Sequence, residues 1–269
     1  MSDGQPLHLR DWPKAQARGA MLIVHGLGEH SGRYQRLAQW FHACGYSVRS
    51  YDQRGHGLSP GPRGALAHPD DLLQDLATVY RDYAASQASE PLLLGHSMGG
   101  LVAARAVLDR RITPSALLLS SPALRSREPA WLRRLVGRLA TVTPNLPLRS
   151  GLKADKLSHD PNLAAAYLGD PQCMGWITPQ LADFIFRAGD STIADAARLA
   201  VPTLLLVAGS DELVDPSGSH DFSTAAASTG QLTTRIFCSL YHELFNETEP
   251  GRGQVLMQLS DWLGRHPGV

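Results

Sequence analysis

The sequence predicts an α/β protein built on a mostly parallel sheet, and three observations carry that prediction. Six short apolar runs recur along the chain: Ala20 to Val24, Tyr46 to Tyr51, Pro91 to Gly95, Ser115 to Ser120, Pro202 to Val207 and Leu232 to Phe237. Several are apolar almost without interruption, as strands are when helices cover both faces of a sheet. Between them lie segments of helical period at Tyr34 to Cys44, Asp70 to Ala85, Met98 to Arg110 and Arg252 to Arg265. The third observation is a break in this β-α-β rhythm between Pro122 and Ala197. There Pro129, Pro144, Pro147, Pro161, Pro171 and Pro179 punctuate helical patterns, with no strand-like run. A helical insertion between two sheet strands is the simplest account, because strand signals resume at Pro202.

Composition narrows the function classes. The chain has 269 residues, enough for a sizeable core, with 25 basic and 25 acidic side chains. Zero net charge argues against a dedicated nucleic-acid binder, whose domain is expected to be clearly basic. Cys44, Cys173 and Cys238 are scattered, without a CxxC or a Cys/His ligand spacing, and suit reduced buried thiols rather than a disulfide framework. The opening MSDGQPLHLR has neither a basic n-region nor an apolar h-region, and no run approaches the length of a spanning helix. A cytoplasmic protein is the expectation.

The chemistry concentrates after the third predicted strand. PLLLGHSMGG contains Gly95-His96-Ser97-Met98-Gly99, a G-x-S-x-G pattern. A nucleophilic serine on a sharp strand-to-helix turn needs small residues at −2 and +2, where backbone approaches closely. As letters the pattern is weak, but it follows a strand and opens the helical run MGGLVAARAVL, the context such an elbow requires. A serine hydroxyl also needs a base and an orienting acid. Asp211 follows PTLLLVAGS and His242 follows LTTRIFCSLY, each just past a strand, in the order Ser, Asp, His. Asp215 competes for the acid role, although its neighbour Pro216 suggests a helix start. Among the other histidines, His25 and His96 fit as supports for the loops beside Ser97. His56, His68, His159, His220 and His266 sit in polar stretches and are expected to be solvated.

MLIVHGLGEH, from Met21 to His30, admits two readings. In one, Gly26-x-Gly28 begins a dinucleotide fingerprint with Asp52 as the ribose acid. The third glycine is displaced, however: Ser31 stands in its place, and Glu29 and His30 would crowd a pyrophosphate. In the other reading, the loop lends the Leu27 N–H to an oxyanion hole and Met98 lends the second. Only the second reading also uses Ser97, Asp211 and His242.

Taken together, HGLGEHSGRY, YDQRGHGLSPGPRG, GHSMGG, AGSDELVD and YHELFNE resemble the monoacylglycerol lipase and lysophospholipase branch of the α/β-hydrolases. The resemblance spans Gly19 to Trp262 and is close within these blocks. It implies an α/β-hydrolase fold: a mostly parallel twisted sheet, helices on both faces, and a helical cap inserted after the sixth strand. The expected divisions are a first core part at 1–121, a cap at 122–197 and a second core part at 198–269. The resemblance further implies Ser97 as nucleophile, Asp211 as acid, His242 as base and Leu27 and Met98 as oxyanion donors.

The same resemblance implies that Glu29 and Arg33 contact the alcohol portion of an acyl-ester or lipid substrate, the alternative being a salt-bridged brace of the loop. Members of this branch commonly carry a second histidine three residues after the catalytic one; Phe245 stands there instead, which points away from the usual glycerol recognition. No metal or organic cofactor is implied. Within the cap, WLRRLVGRLATV places Trp131, Leu132, Leu135, Val136 and Leu139 on one face and its arginines largely elsewhere. That face either packs on the core or makes transient contact with an anionic membrane surface. From sequence, lactonase, thioesterase, C–C hydrolase, acyltransferase and receptor readings stay open, as does oligomeric state.

Overall fold

The computed structural model describes residues 4 and 6–266. The outermost limits of the expected divisions and part of the opening decapeptide lie outside the described residues. The sheet strands before the insertion are β1 (Leu9–Trp12), β2 (Gly19–Val24), β3 (Tyr46–Tyr51), β4 (Leu92–His96) and β5 (Leu117–Ser120). Between them run α1 (Gln35–Ala43), α2 (Asp71–Ala85) and α3 (Met98–Leu108). The insertion holds α4 (Ala130–Val142), β6 (Leu148–Arg149), α5 (Pro161–Gly169), β7 (Trp176–Ile177) and α6 (Pro179–Ala194). The chain then returns to the sheet as β8 (Thr203–Ala208), α7 (Pro216–Ala226), β9 (Leu232–Phe237) and α8 (Gly251–Arg265).

The seven-stranded sheet has the order β1-β3-β2-β4-β5-β8-β9. Every pairing in it is parallel except β1 with β3, where Leu9 faces Tyr51 and Trp12 faces Val48. Sequence periodicity missed β1 because LRDW is short and half-exposed, as an edge strand is, and offers no apolar run. It also missed the two-residue strands β6 and β7, which are too short to carry a period. By the chain's own count the insertion leaves the sheet after the fifth strand. The expected count of six presumes one more strand ahead of the insertion than this sheet contains.

Alternation along the central strands feeds two cores. Leu22, Val24, Leu93, Leu117, Leu119, Leu205 and Val207 pack with α2, α3 and α7 on one face. Met21, Ile23, Leu92, Leu94, Leu118, Leu204 and Leu206 pack with α1 and α8 on the other. Burial on both faces explains why these strands read as continuous apolar runs. It also leaves the carboxyl ends of the parallel strands as the place where polar side chains can project into open space.

Two surface expectations need correction. Cys238 is exposed rather than buried, because it lies just past β9 at the sheet edge; all three cysteines are free. His56 is buried rather than solvated: its loop folds inward against His25, with ring centroids 5.4 Å apart. Its Nδ1–H donates to the Arg54 carbonyl, and burial pushes its pKa down to about 3, so the ring stays neutral. No helix among the described residues is long and apolar enough to cross a membrane.

Candidate active site

Ser97 sits between β4 and α3 at φ 53° and ψ −121°, in the left-handed region that a serine enters only at a cost. The turn is tight enough to dictate its neighbours. A Cβ on Gly99 would lie 2.3 Å from the carbonyl oxygens of both Val24 and His25, and one on Gly95 would lie 2.4 Å from the Gly99 carbonyl oxygen. The glycines at −2 and +2 are therefore demanded by backbone packing, and they bring the loop after β2 against Ser97.

His242 and Asp211 lie past β9 and β8. The His242 Nδ1–H donates to Asp211 Oδ2 at 2.6 Å, and both residues are buried. The other Asp211 oxygen accepts the N–H groups of Leu213 and Val214 at 2.9 and 3.0 Å. Burial works against the Asp211 carboxylate, but His242 and these N–H groups outweigh it and hold its pKa below the usual value. Burial likewise opposes an imidazolium at His242, yet Asp211, followed by Glu243 and Glu29, raises its pKa above the ordinary value. Asp215 caps α7 by accepting the Ser217 N–H at 3.0 Å, which leaves the acid position beside His242 to Asp211.

His96 tilts against His242 with ring centroids 4.7 Å apart. Burial and the neighbouring His242 push its pKa down to about 3, so it stands as a neutral wall, with Nδ1 3.2 Å from Ser120 Oγ. His25 accepts the Gln53 N–H at Nε2 and donates from Nδ1 to the Gly26 carbonyl, which fixes the start of the Gly26–Gly28 loop. Asp52 is consumed in the same region, accepting the N–H groups of Ser31 and Leu58. It has no free edge for a ribose, and the dinucleotide reading ends there.

The loop is held in shape from two sides. The Gly26 N–H donates to Glu29 Oε1 at 2.6 Å and so is committed within the loop. The backbone N–H groups of Leu27 and Met98 have no partner among the described residues, and both residues border one cavity with Ser97 and His242. Gly28 takes φ +72°, and a Cβ there would lie 2.4 Å from the Met174 carbonyl oxygen. The contact is a grip by the insertion: the Met174 N–H and the Tyr167 hydroxyl both donate to the Gly28 carbonyl, at 2.9 and 3.1 Å.

Glu29 and Arg33 form an ion pair at 2.6 Å, and Arg33 also makes a two-pronged pair with Glu243 at 2.7 and 3.0 Å. Tyr34 completes the group by donating to Glu29 Oε1. Burial penalises the Glu29 carboxylate, but Arg33 overcompensates and holds it well below the usual carboxylate range. The brace is thus present, and Glu29, Arg33 and Glu243 border the cavity at the same time. Phe245 does not reach that cavity; it packs into the core against α1 and α8. Glu243 was not singled out from sequence, although a charge directly after His242 was a usable signal. Tyr167 carried none.

The cavity has a volume of about 330 Å³. Leu152, Ile177, Ile185, Phe186, Leu213 and Val214 supply much of its apolar wall, most of it from the insertion. A buried His–Asp pair, a serine on a strained elbow and two unpaired backbone N–H groups around an apolar cavity can support acyl transfer to serine.

Fold and site together define a serine hydrolase of the α/β-hydrolase class. The chain belongs to the family described as serine aminopeptidase, S33, which matches residues 15–249. It is 33% identical over 261 residues to the monoacylglycerol lipase of Mycolicibacterium smegmatis, covering 94% of this chain and 91% of that protein. It is 30% identical over 277 residues to the monoglyceride lipase of Rattus norvegicus, covering 100% of this chain and 90% of that protein. Among solved structures, the monoacylglycerol lipase of Paleococcus ferrophilus superposes with a TM-score of 0.87 at 31% identity, covering 97% of this chain and 99% of that one. The resemblance read from the five sequence blocks is borne out.

Proposed function

We propose that this enzyme hydrolyses carboxylic esters of single acyl chains, monoacylglycerols among them, through an acyl-enzyme on Ser97. The observation that carries the proposal is the 2.6 Å bond from His242 to Asp211 in the wall of the cavity that Ser97 also borders. With Nδ1 committed to Asp211, Nε2 of His242 takes the Ser97 proton as Oγ attacks the ester carbonyl. The Leu27 and Met98 N–H groups receive the negative charge that develops on the carbonyl oxygen. His242 then returns its proton to the departing alcohol, and water, activated by the same nitrogen, releases the acid.

Residues 122–197 act as a cap whose apolar side chains take the acyl chain. Glu29 and Arg33, joined by Glu243, form the polar wall toward the alcohol. Monoacylglycerol is the first substrate to try because two relatives covering most of this chain carry that activity in their names. A chain-length series of p-nitrophenyl esters, run beside monoacylglycerol and lysophospholipid, tests the reading. Turnover of long-chain esters that disappears in Ser97→Ala supports it; near-wild-type turnover in that variant sinks it.

The cap also suggests where the substrate is met. On α4 only Val136 is buried, while Trp131, Leu135 and Val142 are 65%, 44% and 78% exposed. Arg134 and Arg138 stand on the same short helix. An exposed apolar row with adjacent cations suits transient contact with an anionic lipid surface.

A further inference from the structure

One short segment grips a backbone carbonyl of each residue in the proposed triad. Ser121 Oγ donates to the His242 carbonyl oxygen at 2.9 Å. The Ala123 N–H donates to the Ser97 carbonyl oxygen at 2.9 Å, and the Arg127 guanidinium donates to the Asp211 carbonyl oxygen. In return, the Asp215 N–H donates to the Arg125 carbonyl oxygen at 3.1 Å. Ser97, Asp211 and His242 come from loops after three different strands, so local geometry alone does not set their relative positions. Residues 121–127 touch all three loops, and they lead from the end of β5 into the insertion.

These contacts differ in how replaceable they are. The Ser97 carbonyl also accepts the Leu101 N–H at 3.1 Å, and the His242 carbonyl accepts the Leu244 N–H at 3.2 Å. For the Asp211 carbonyl, Arg127 is the one donor found among the described residues. Ser121 is 3% exposed and takes φ +42°, a conformation that costs a non-glycine residue energy. Its hydroxyl reaches His242 from that strained position.

We propose that Ser121 and Arg127 are positioning residues for hydrolysis: they hold the backbones of His242 and Asp211 in the register that aligns imidazole and carboxylate beside Ser97. The proposal rests on the reading of Ser97, Asp211 and His242 as the triad. Arg127 is the one donor to its carbonyl among the described residues, but it acts from the exposed rim, where water can take its place. Ser121 acts from within the core, so the loss of Ser121 is the larger effect. Positional errors at reacting groups fall on kcat, because the aligned geometry matters most in the transition state.

Ser121→Ala is the sharpest test because it removes a bond without changing a charge. The charged groups around His242 are Asp211, Glu243 and Glu29, with neutral His96 against its ring. None is altered by the substitution, so a shift of the ascending limb of the pH–rate profile reports the His242–Asp211 alignment. The expected result is a kcat about tenfold lower with KM little changed. The limb should move to lower pH, since a loosened Asp211 supports the imidazolium less. Ser121→Cys, which retains a weak donor, should recover part of the loss.

Arg127→Met should lower kcat by about threefold, with Arg127→Lys in between. Wild-type kcat and pH profile in Ser121→Ala, or a loss confined to KM, would overturn the proposal. If Ser121→Ala does not fold, the Arg127 pair decides on the same kcat and KM readouts, because that side chain is exposed. Labelling with a fluorophosphonate corrects each rate for active fraction. Near-wild-type turnover by Ser97→Ala would instead show that the triad reading had failed.

Discussion

His242 and Asp211 meet at 2.6 Å in a buried setting, with the bond made through Nδ1 of the imidazole. Asp211, Glu243 and Glu29 raise the His242 pKa against the opposing effect of burial. A base with a raised pKa is protonated over more of the acidic range. For a neutral ester, kcat/KM should therefore climb with pH through a value above that of an ordinary histidine. Asp211→Asn removes the charge and should lower kcat by about 10³- to 10⁴-fold. Initial rates of a soluble ester between pH 5 and 9 check both statements. A wild-type limb below the ordinary histidine value would contradict the assigned environment.

Gly28 is where the insertion is fastened to the loop that offers the Leu27 N–H. Alanine there would need φ +72° and would place its Cβ 2.4 Å from the Met174 carbonyl oxygen. Backbone must therefore move, at a cost of about 1–3 kcal/mol from the φ alone. Gly28→Ala should cut kcat for every ester and make the stretch around Met174 more sensitive to limited proteolysis. Wild-type kcat with an unchanged digestion pattern would show that the fastening is dispensable.

How legible this was in the sequence depends on what each element required. The central strands announced themselves because burial on both faces leaves an uninterrupted apolar run. Ser97, Asp211 and His242 stood out in the sequence because each follows a strand and their order is restricted. Contacts between distant segments were not legible. No local pattern tells that Tyr167 reaches Gly28, that Ser121 reaches His242, or that Glu243 takes the polar place beside Arg33 while Phe245 turns into the core. The edge strand Leu9–Trp12 escaped for a related reason, since a half-exposed strand of four residues has no period to detect.

Arg33 is sandwiched between two buried carboxylates, Glu29 and Glu243. Arg33→Met would leave those carboxylates facing each other without compensation, and breaking such a buried pair costs about 3–5 kcal/mol. The acid response has a definite sign. Glu29 has a folded pKa held well below its ordinary 4.5, so its contribution is fully present above pH 4.5 and is lost as pH falls through the depressed value. Urea unfolding of the wild type should therefore weaken below pH 4.5. In Glu29→Gln part of that slope should vanish. Equal slopes in the two proteins would remove Glu29 from the acid response.

Trp131, Leu135 and Val142 lie on one side of α4 and are largely exposed, with Arg134 and Arg138 on the same helix. Burying such a row in a lipid interface gains apolar contact that the folded chain does not already provide, and the cations add attraction to anionic headgroups. Vesicles containing anionic lipid should therefore sediment the protein, while neutral vesicles sediment less and added salt weakens the effect. Trp131→Ala should reduce sedimentation and lower the rate on a long-chain ester embedded in vesicles. Its rate on a short soluble ester should stay at the wild-type level, because Trp131 does not border the cavity. If wild type and variant sediment alike and cleave the embedded ester equally fast, α4 is only an exposed cap helix and the enzyme meets its substrate from water.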